Sequence, residues 1–469
     1  MIERLSRLPT ALRALRAARS LEAHERWSPD QLHSYQRQRL LAIVRDAAAR
    51  SPYYRERFAG IELSDDLDLT ALPRLDKPTM LEHFDELVTD RRLSLAGVER
   101  HIAEIEGAEL RGDPKLFGEY RVLASGGTSG RRGVFLYGRE DWTELLGGGI
   151  RIWRPYLDFA PRLPRRRLAA IVADQPLHGN GRVNRSIDIG VHRLLRLDAR
   201  NPIGDLVGGL NDFQPEGLFT YPSTAGLLAE RQLAGDLTIG PHWILTGGEV
   251  LSDDIRKRIA AAFDRAPFDA YGTTEVGPVA VECDRHAGLH VFEDQVQIEI
   301  VDDEYWPVPA GRPGTRLLVT NLVNRTQPLI RYELNDLVTA SPEPCPCGRP
   351  FPLLKKIDGR SDDILELPAR GGGTTKVHPV TLRSPLAGIA ALTEYRIVYR
   401  AGELRIEAVL AGADGSRVCE EIESSLGAAL AESGAQPPPI RVESVAEIAR
   451  HPHSGKHKAI AVADGRPGC

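Results

Sequence analysis

Apolar positions recur at helical spacing over residues 31–57, QLHSYQRQRLLAIVRDAAARSPYYRER, and predict one strong helix ending near Ser51-Pro52. Leu5, Leu8, Leu12 and Leu15 recur in the same way among Arg4, Arg7, Arg13 and Arg16. That pattern predicts an amphipathic helix packed on its own domain or on a partner subunit, with a membrane-surface helix as the alternative. Residues 72–87 read as a turn followed by a helix start, and residues 119–137 as strand, glycine-rich loop, strand. From 139 to 340, helices such as 252–264 alternate with short apolar strands at 166–173, 242–246 and 315–320. Such alternation predicts an α/β fold with a substantial sheet. Residues 341–350, SPEPCPCGRP, form a Pro/Cys-rich connection. Beyond 361 the texture changes: three glycines at 371–373, a hairpin-like pair at 394–400 and 403–410, then a helix at 416–432. The expected division is a large domain 1–357, a junction DGRSDD at 358–363 and a small α+β domain 364–469.

Composition narrows the function. A chain of 469 residues suggests two to four structural units. The hydrophobic fraction of 42% and charged fraction of 27% are those of a soluble globular protein. A net charge of −5 lacks the basic excess of a general nucleic-acid binder, so no nucleic-acid partner is expected. No apolar run reaches the roughly 18 residues of a membrane span. The N-terminus has no continuous apolar stretch followed by a cleavage site, and five cysteines make a disulfide framework a poor reading. A cytoplasmic location is expected. Only eight of the 60 basic residues are lysines, so a step that needs a lysine has few candidates.

Five motifs carry candidate chemistry. Ser125-Gly126-Gly127-Thr128-Ser129-Gly130, followed by Arg131-Arg132-Gly133, offers backbone N–H groups suited to phosphate oxygens, or is simply a turn. It is not a Walker loop, which would end in Lys-Ser or Lys-Thr. Tyr271-Gly272-Thr273-Thr274-Glu275 places a carboxylate where it could hold Mg²⁺ beside a phosphate, or is an ordinary surface glutamate. In Arg331-Tyr332-Glu333-Leu334-Asn335-Asp336, the aspartate could accept ribose hydroxyls. Asp358-Gly359-Arg360-Ser361-Asp362-Asp363 marks the junction, and His453-Ser454-Gly455-Lys456-His457-Lys458 lies near the C-terminus. Each of these alone also reads as a turn or a solvated charge.

Their order is specific. SGGTSG, YGTTE, RYELND, GRSDD and SGK, in that sequence, resemble the ordered signature of the adenylate-forming superfamily of acyl-CoA synthetases and adenylation domains. AAARSPYYRERF at 47–58, LPRLDKPTML at 72–81, TYPSTAGLLAE at 220–230 and LTGGEVLS at 245–252 resemble its phenylacetate-CoA ligase branch. Cys-Pro-Cys-Gly-Arg at 345–349 and KKIDGRSDDILELP at 355–368 look closest to ligases encoded with polysaccharide and natural-product pathways. The resemblance implies a large N-terminal α/β domain with several sheets and a small mobile C-terminal domain. It implies that ATP and a small, aromatic carboxylic acid give an acyl-adenylate, which is passed to an acceptor. Thr128 and its neighbours would then hold phosphate. Gly247, Gly248 and Glu249, with Ala270, Tyr271 and Gly272, would line adenine. Thr274 would contact the adenylate phosphate, Glu275 would hold Mg²⁺, and Asp336 and Arg360 would hold ribose and phosphate. Asp362 would be the hinge and Lys456 the adenylation lysine, with Lys458 its competitor.

Two features modify this expectation. The segment 365–380 keeps only His378-Pro379 of the Asn-Val-x-Pro run of typical CoA ligases. The acceptor is therefore open among CoA, a carrier-protein thiol and an amine of a natural-product pathway. A homodimer is also left open. Cys283, Cys345 and Cys347, with His286 or His290, form a donor set suited to structural Zn²⁺, the alternative being buried thiols and surface histidines. His290 is preferred because His-x-Phe-Glu-Asp at 290–294 resembles the family at that place. Rival classes are a non-catalytic nucleotide-binding scaffold and a phosphotransferase.

Overall fold

A computed structural model of the chain describes residues 2–107, 112–125, 132–153, 163–173, 177, 179–389, 391–412, 415–451 and 455–462. The helix Pro29–Arg50 opens with a capping box: Ser28 Oγ accepts the Gln31 N–H, and the Gln31 side chain accepts the Ser28 N–H. It stops at Ser51, whose backbone is extended, as a residue before proline prefers. The helix thus ends at Ser51-Pro52 as expected, and Ser51 then caps a second, short helix, Pro52–Arg57, that takes up the rest of the segment 31–57.

The N-terminal helix Ile2–His24 packs on the helix Arg139–Trp153 of its own domain. The buried face matches the leucine stripe only in part: Leu15 packs against the core, but Leu8 and Leu12 do not. Ala11, Ala14, Ala18 and Leu21 are buried, whereas Leu8 and Leu12 are 38% and 47% exposed. Close approach selects the small residues: a Cβ on Gly147 would stand 2.7 Å from the Ala17 Cβ. The end of this helix is fixed by a buried charge cluster. Asp294 accepts from Arg151 Nη1 and Nη2 at 2.7 and 2.9 Å, and lies 2.7 Å from His24 Nδ1. The Arg151 guanidinium covers the Phe292 ring, 3.8 Å from its centroid.

A nine-stranded sheet forms the centre of the large domain. Phe268–Thr273, Trp243–Gly247, Gly217–Thr220, Arg167–Val172 and Arg193–Asp198 run parallel in that spatial order. Gly277–Glu282, Leu289–Val291, Leu353–Arg360 and Asp336–Ala340 continue it with antiparallel pairing. The central strands Arg167–Val172, Gly217–Thr220 and Trp243–Gly247 are mostly buried and read as short apolar runs, whereas the edge strand Arg193–Asp198 is exposed or half-buried throughout. A separate core that includes Leu365, Ile397, Ile406, Leu426 and Ile460 joins a four-stranded sheet to the helix Gly415–Glu432. This is a mixed α/β protein with several sheets. Among the described residues no helix is long and apolar enough to cross a membrane.

Burial acts to raise the Asp294 carboxyl, but Arg151 and the His24 hydrogen bond overcome it and hold the group below its usual range. A depressed carboxyl adds stability above its unfolded value, about 3.9, and loses it as pH falls through the folded value. Asp294→Asn should lower the unfolding free energy by about 3 kcal/mol near pH 7, because Arg151 stays buried without its charge partner. It should also flatten the acid limb of stability against pH. Urea titrations of both proteins at pH 7 and below pH 4 check both effects.

Candidate active site

Strand register builds the floor of a cleft. Asp336 and Arg360 face each other across the antiparallel pair Asp336–Ala340 and Leu353–Arg360, with Arg360 Nε 3.4 Å from Asp336 Oδ1. The Tyr271 hydroxyl reaches the same carboxylate and donates to Oδ2 at 2.6 Å. Burial and the facing Asp336 push the Tyr271 hydroxyl well above its usual range, so it stays a donor. Asp336 in turn raises Arg360, which stays charged. Ser361 N–H donates to Asn335 O at 2.7 Å, and Asn335 Nδ2 donates to the exposed Asp362 at 3.0 Å.

Glu275 lies just past the strand Phe268–Thr273. Its backbone oxygen accepts from the Tyr137 hydroxyl at 2.9 Å. Burial raises its carboxyl above the usual range; Asp336 adds to this and Arg360 opposes it. Gly247 pairs with Ala270, and a Cβ at Gly247 would stand 2.7 Å from the Ala270 oxygen. Gly248 takes φ +82°, turning the chain toward Glu249.

The C-terminal loop enters this cleft from the small domain. Lys456 Nζ lies 3.3 Å from the position a Cβ on Gly248 would take, and 5.8 Å from the Tyr221 ring centroid. Burial pushes its ammonium below the lysine range; Arg360 adds to this, and Glu249, Asp336 and Glu275 oppose it. A cavity of about 620 Å³ gathers Ser125, Gly248, Glu249, Ala270, Tyr271, Gly272, Thr273, Thr274, Glu275, Asp336, Arg360, Asp362 and Lys456. Lys458 lines it too, with its charge acting on the buried Asp363 beside the junction. Gly126, Gly127, Thr128, Ser129 and Gly130 lie outside the described residues. The base of their loop is closed by Ser125 N–H to Gly133 O at 2.9 Å and Gly133 N–H to Ser125 Oγ at 2.8 Å. Arg132 turns to Glu106, 2.6 Å away.

Sequence reasoning missed Lys77. It lines the cavity, and burial lowers its ammonium while Glu275 and Asp362 oppose the shift. The scarcity of lysine was the available signal, overlooked because Asp76-Lys77-Pro78 reads as a helix start.

Cys283, His290, Cys345 and Cys347 converge with their donor atoms all within 4.8 Å of one another. Cys283 Sγ and Cys345 Sγ are 3.6 Å apart, and Cys347 Sγ is 3.3 Å from His290 Nε2. Three thiols and an imidazole at these separations match a tetrahedral zinc site, for which Zn–S is about 2.3 Å and Zn–N about 2.1 Å. His290 Nδ1 lies 3.3 Å from Phe351 O, which leaves Nε2 to face the sulfurs. Burial lowers His290 to about 4, so its ring is neutral at pH 7. His286 instead meets Glu282 at 3.2 Å and stands outside the cluster.

No family model matches the sequence. A phenylacetate-coenzyme A ligase of Pseudomonas putida is 28% identical over 414 residues, covering 82% of each chain. One of Thermus thermophilus is 32% identical over 198 residues, 41% of this chain and 43% of that protein. The fold superimposes on 2-hydroxyisobutyryl-CoA ligase in its postadenylation state, with a TM-score of 0.71 and 21% identity over 92% of this chain and 89% of that one. The same ligase in its thioesterification state, with CoA, gives 0.56 and 20% identity over 94% and 91%. The chain is similar to phenylacetate-coenzyme A ligases along most of its length and has the two-domain fold of the adenylate-forming CoA ligases.

Proposed function

We propose that the protein activates a small aromatic carboxylic acid with ATP, releasing pyrophosphate, and passes the acyl group from the acyl-adenylate to the thiol of CoA. The observation that carries this reading is the entry of Lys456 into the same cavity as Glu275, Asp336 and Arg360. Both reactants are anions, so attack of the carboxylate oxygen on the α-phosphorus needs fixed positive charge. In this reading Lys456 and Arg360 supply it, and Thr274 contacts the adenylate phosphate. Asp336 accepts the ribose hydroxyls, Gly247, Gly248, Ala270, Tyr271 and Gly272 line adenine, and the loop 125–130 cradles the outer phosphates. Glu275 is the residue that would hold Mg²⁺, which neutralises phosphate charge when bound. Asp362 serves as the hinge between domains 1–357 and 364–469, so that Lys456 can leave before the acceptor attacks.

The aromatic acid and CoA are read from the named activities of the relatives, in a cytoplasmic setting. The four described cysteines are free thiols, which suits that setting. A carrier-protein thiol or an amine is the second acceptor reading, favoured by the segment 365–380. The decisive measurement is exchange of labelled pyrophosphate into ATP across a panel of carboxylic acids, followed by acceptor trials. Exchange should appear only with acid present; its absence for every acid sinks the ligase reading, and formation of ADP points to a phosphotransferase. Lys456→Ala should depress this exchange at least about 100-fold, the scale lost with one preorganised donor. Transfer from a supplied acyl-adenylate should change far less. An equal loss from Lys458→Ala, with Lys456→Ala near wild type, would reverse the assignment.

Cys283, His290, Cys345 and Cys347 complete the proposal as a closed structural zinc site with no position for substrate. Elemental analysis of untagged protein purified without chelator should show about one zinc per chain. The Cys345→Ser, Cys347→Ser double variant should lose it and melt earlier. Full zinc retained by that variant means the thiols are ordinary buried ones.

A further inference from the structure

The carboxylate of Glu249 is spent on backbone from two domains. Its Oε1 accepts the His457 N–H at 2.7 Å, and its Oε2 accepts the Ser223 N–H at 3.1 Å. Ser223 stands in the first turn of the helix Pro222–Ala234, where N–H groups lack helical partners and an anion is favoured. His457 directly follows Lys456. One side chain therefore ties the lysine-bearing loop to the large domain, one residue from the reactive cation.

Two further contacts hold the same loop. Arg450 Nη1 donates to Ser223 Oγ at 2.9 Å, while its Nη2 is held by Glu394 at 2.7 Å. Gly455 takes φ +63° and packs so tightly that a Cβ there would stand 3.2 Å from Arg200 Cγ. The loop is thus seated over the carboxyl ends of the parallel strands, where ligands of open α/β sheets bind.

We propose that Glu249 is a positioning residue for Lys456, clamping the His457 and Ser223 amides together so that the lysine is held in the cleft. This rests on the ligase reading and revises the expectation that the Glu249 side chain lines adenine. That wall is left to the backbone of Gly247 and Gly248 and to Ala270, Tyr271 and Gly272. Both Glu249 oxygens are already engaged, and both partners belong to the seat of the loop. A displacement of about 1 Å in a catalytic group costs on the order of 10²-fold in rate. Loss of the clamp should therefore act on turnover and spare nucleotide affinity.

The test uses the full chain with Glu249→Ala, the conservative Glu249→Gln, and Arg450→Met, which loosens the same seat from the small domain. Hydrogen exchange over residues 455–459 is read first and needs no substrate. Glu249→Ala should speed exchange in that segment by about tenfold or more while the core strands stay protected. The turnover rate of pyrophosphate exchange should fall about 100-fold, with the KM for ATP within about twofold of wild type. Arg450→Met should shift both readouts in the same direction. Glu249→Gln, which keeps one accepting oxygen, should restore part of both. A tenfold rise in the KM for ATP with turnover and segment exchange unchanged assigns Glu249 to adenine and overturns the proposal. Unchanged protection of 455–459 in all three variants overturns it as well. Wild-type protein that shows no acid-dependent pyrophosphate exchange counts against the ligase reading alone, since segment exchange still decides the clamp.

Discussion

One carboxylate organises the cleft. Asp336 receives the Tyr271 hydroxyl from one strand and faces the Arg360 guanidinium from another, so three motifs far apart in sequence meet at a single charge. The meeting is a matter of register: Asp336 and Arg360 are direct partners in an antiparallel pair, and a one-residue slip would turn one of them to the other face of the sheet. Asn335 carries the arrangement into the junction through Ser361 and Asp362. The geometry of the junction between domains is thus continuous with the geometry of the cleft.

The second organising feature is the end of the parallel strands. Trp243–Gly247 and Phe268–Thr273 deliver glycine-rich turns at the same edge, and the turn at Gly248 leaves a gap that Lys456 fills. A side chain on Gly248 would compete for that space. The small domain, with its own core around Ile397 and Leu426, presents this lysine on a loop rather than on its sheet. A loop can be seated and unseated at lower cost than a strand built into a ladder, which suits the proposed departure of Lys456 before acyl transfer.

Much of this was legible in the sequence because local pattern and motif order report on backbone. The strands at 167–172, 243–247 and 316–321, and the helices at 253–263 and 415–432, fall within a residue or two of their predicted bounds. The three cysteines stood out because cysteine is rare in this chain, His290 was preferred over His286 on the resemblance at 290–294, and the four side chains do converge. What escaped was packing. The leucines at 8 and 12 looked like a core stripe, but the contact with the helix Arg139–Trp153 is so close that alanines take it. Glu249 lines the cleft, but nothing local told that one of its oxygens also accepts from an amide 208 residues further on. Lys77 was hidden because a helix-start motif accounts for the same residues.

The approach of Cys283 to Cys345 has a practical side. Sulfurs 3.6 Å apart in reduced form are close enough that a modest shift joins them, since a disulfide spans about 2.05 Å. A metal ion and an S–S bond are competing uses of this pair, because a bridged sulfur is no longer a thiolate donor. Exposure to air or chelator during purification therefore bears directly on how the connector at 341–350 is anchored. The thermal behaviour of a sample will carry the imprint of its redox history, and two preparations of identical sequence are comparable only when their thiol and metal contents have both been counted.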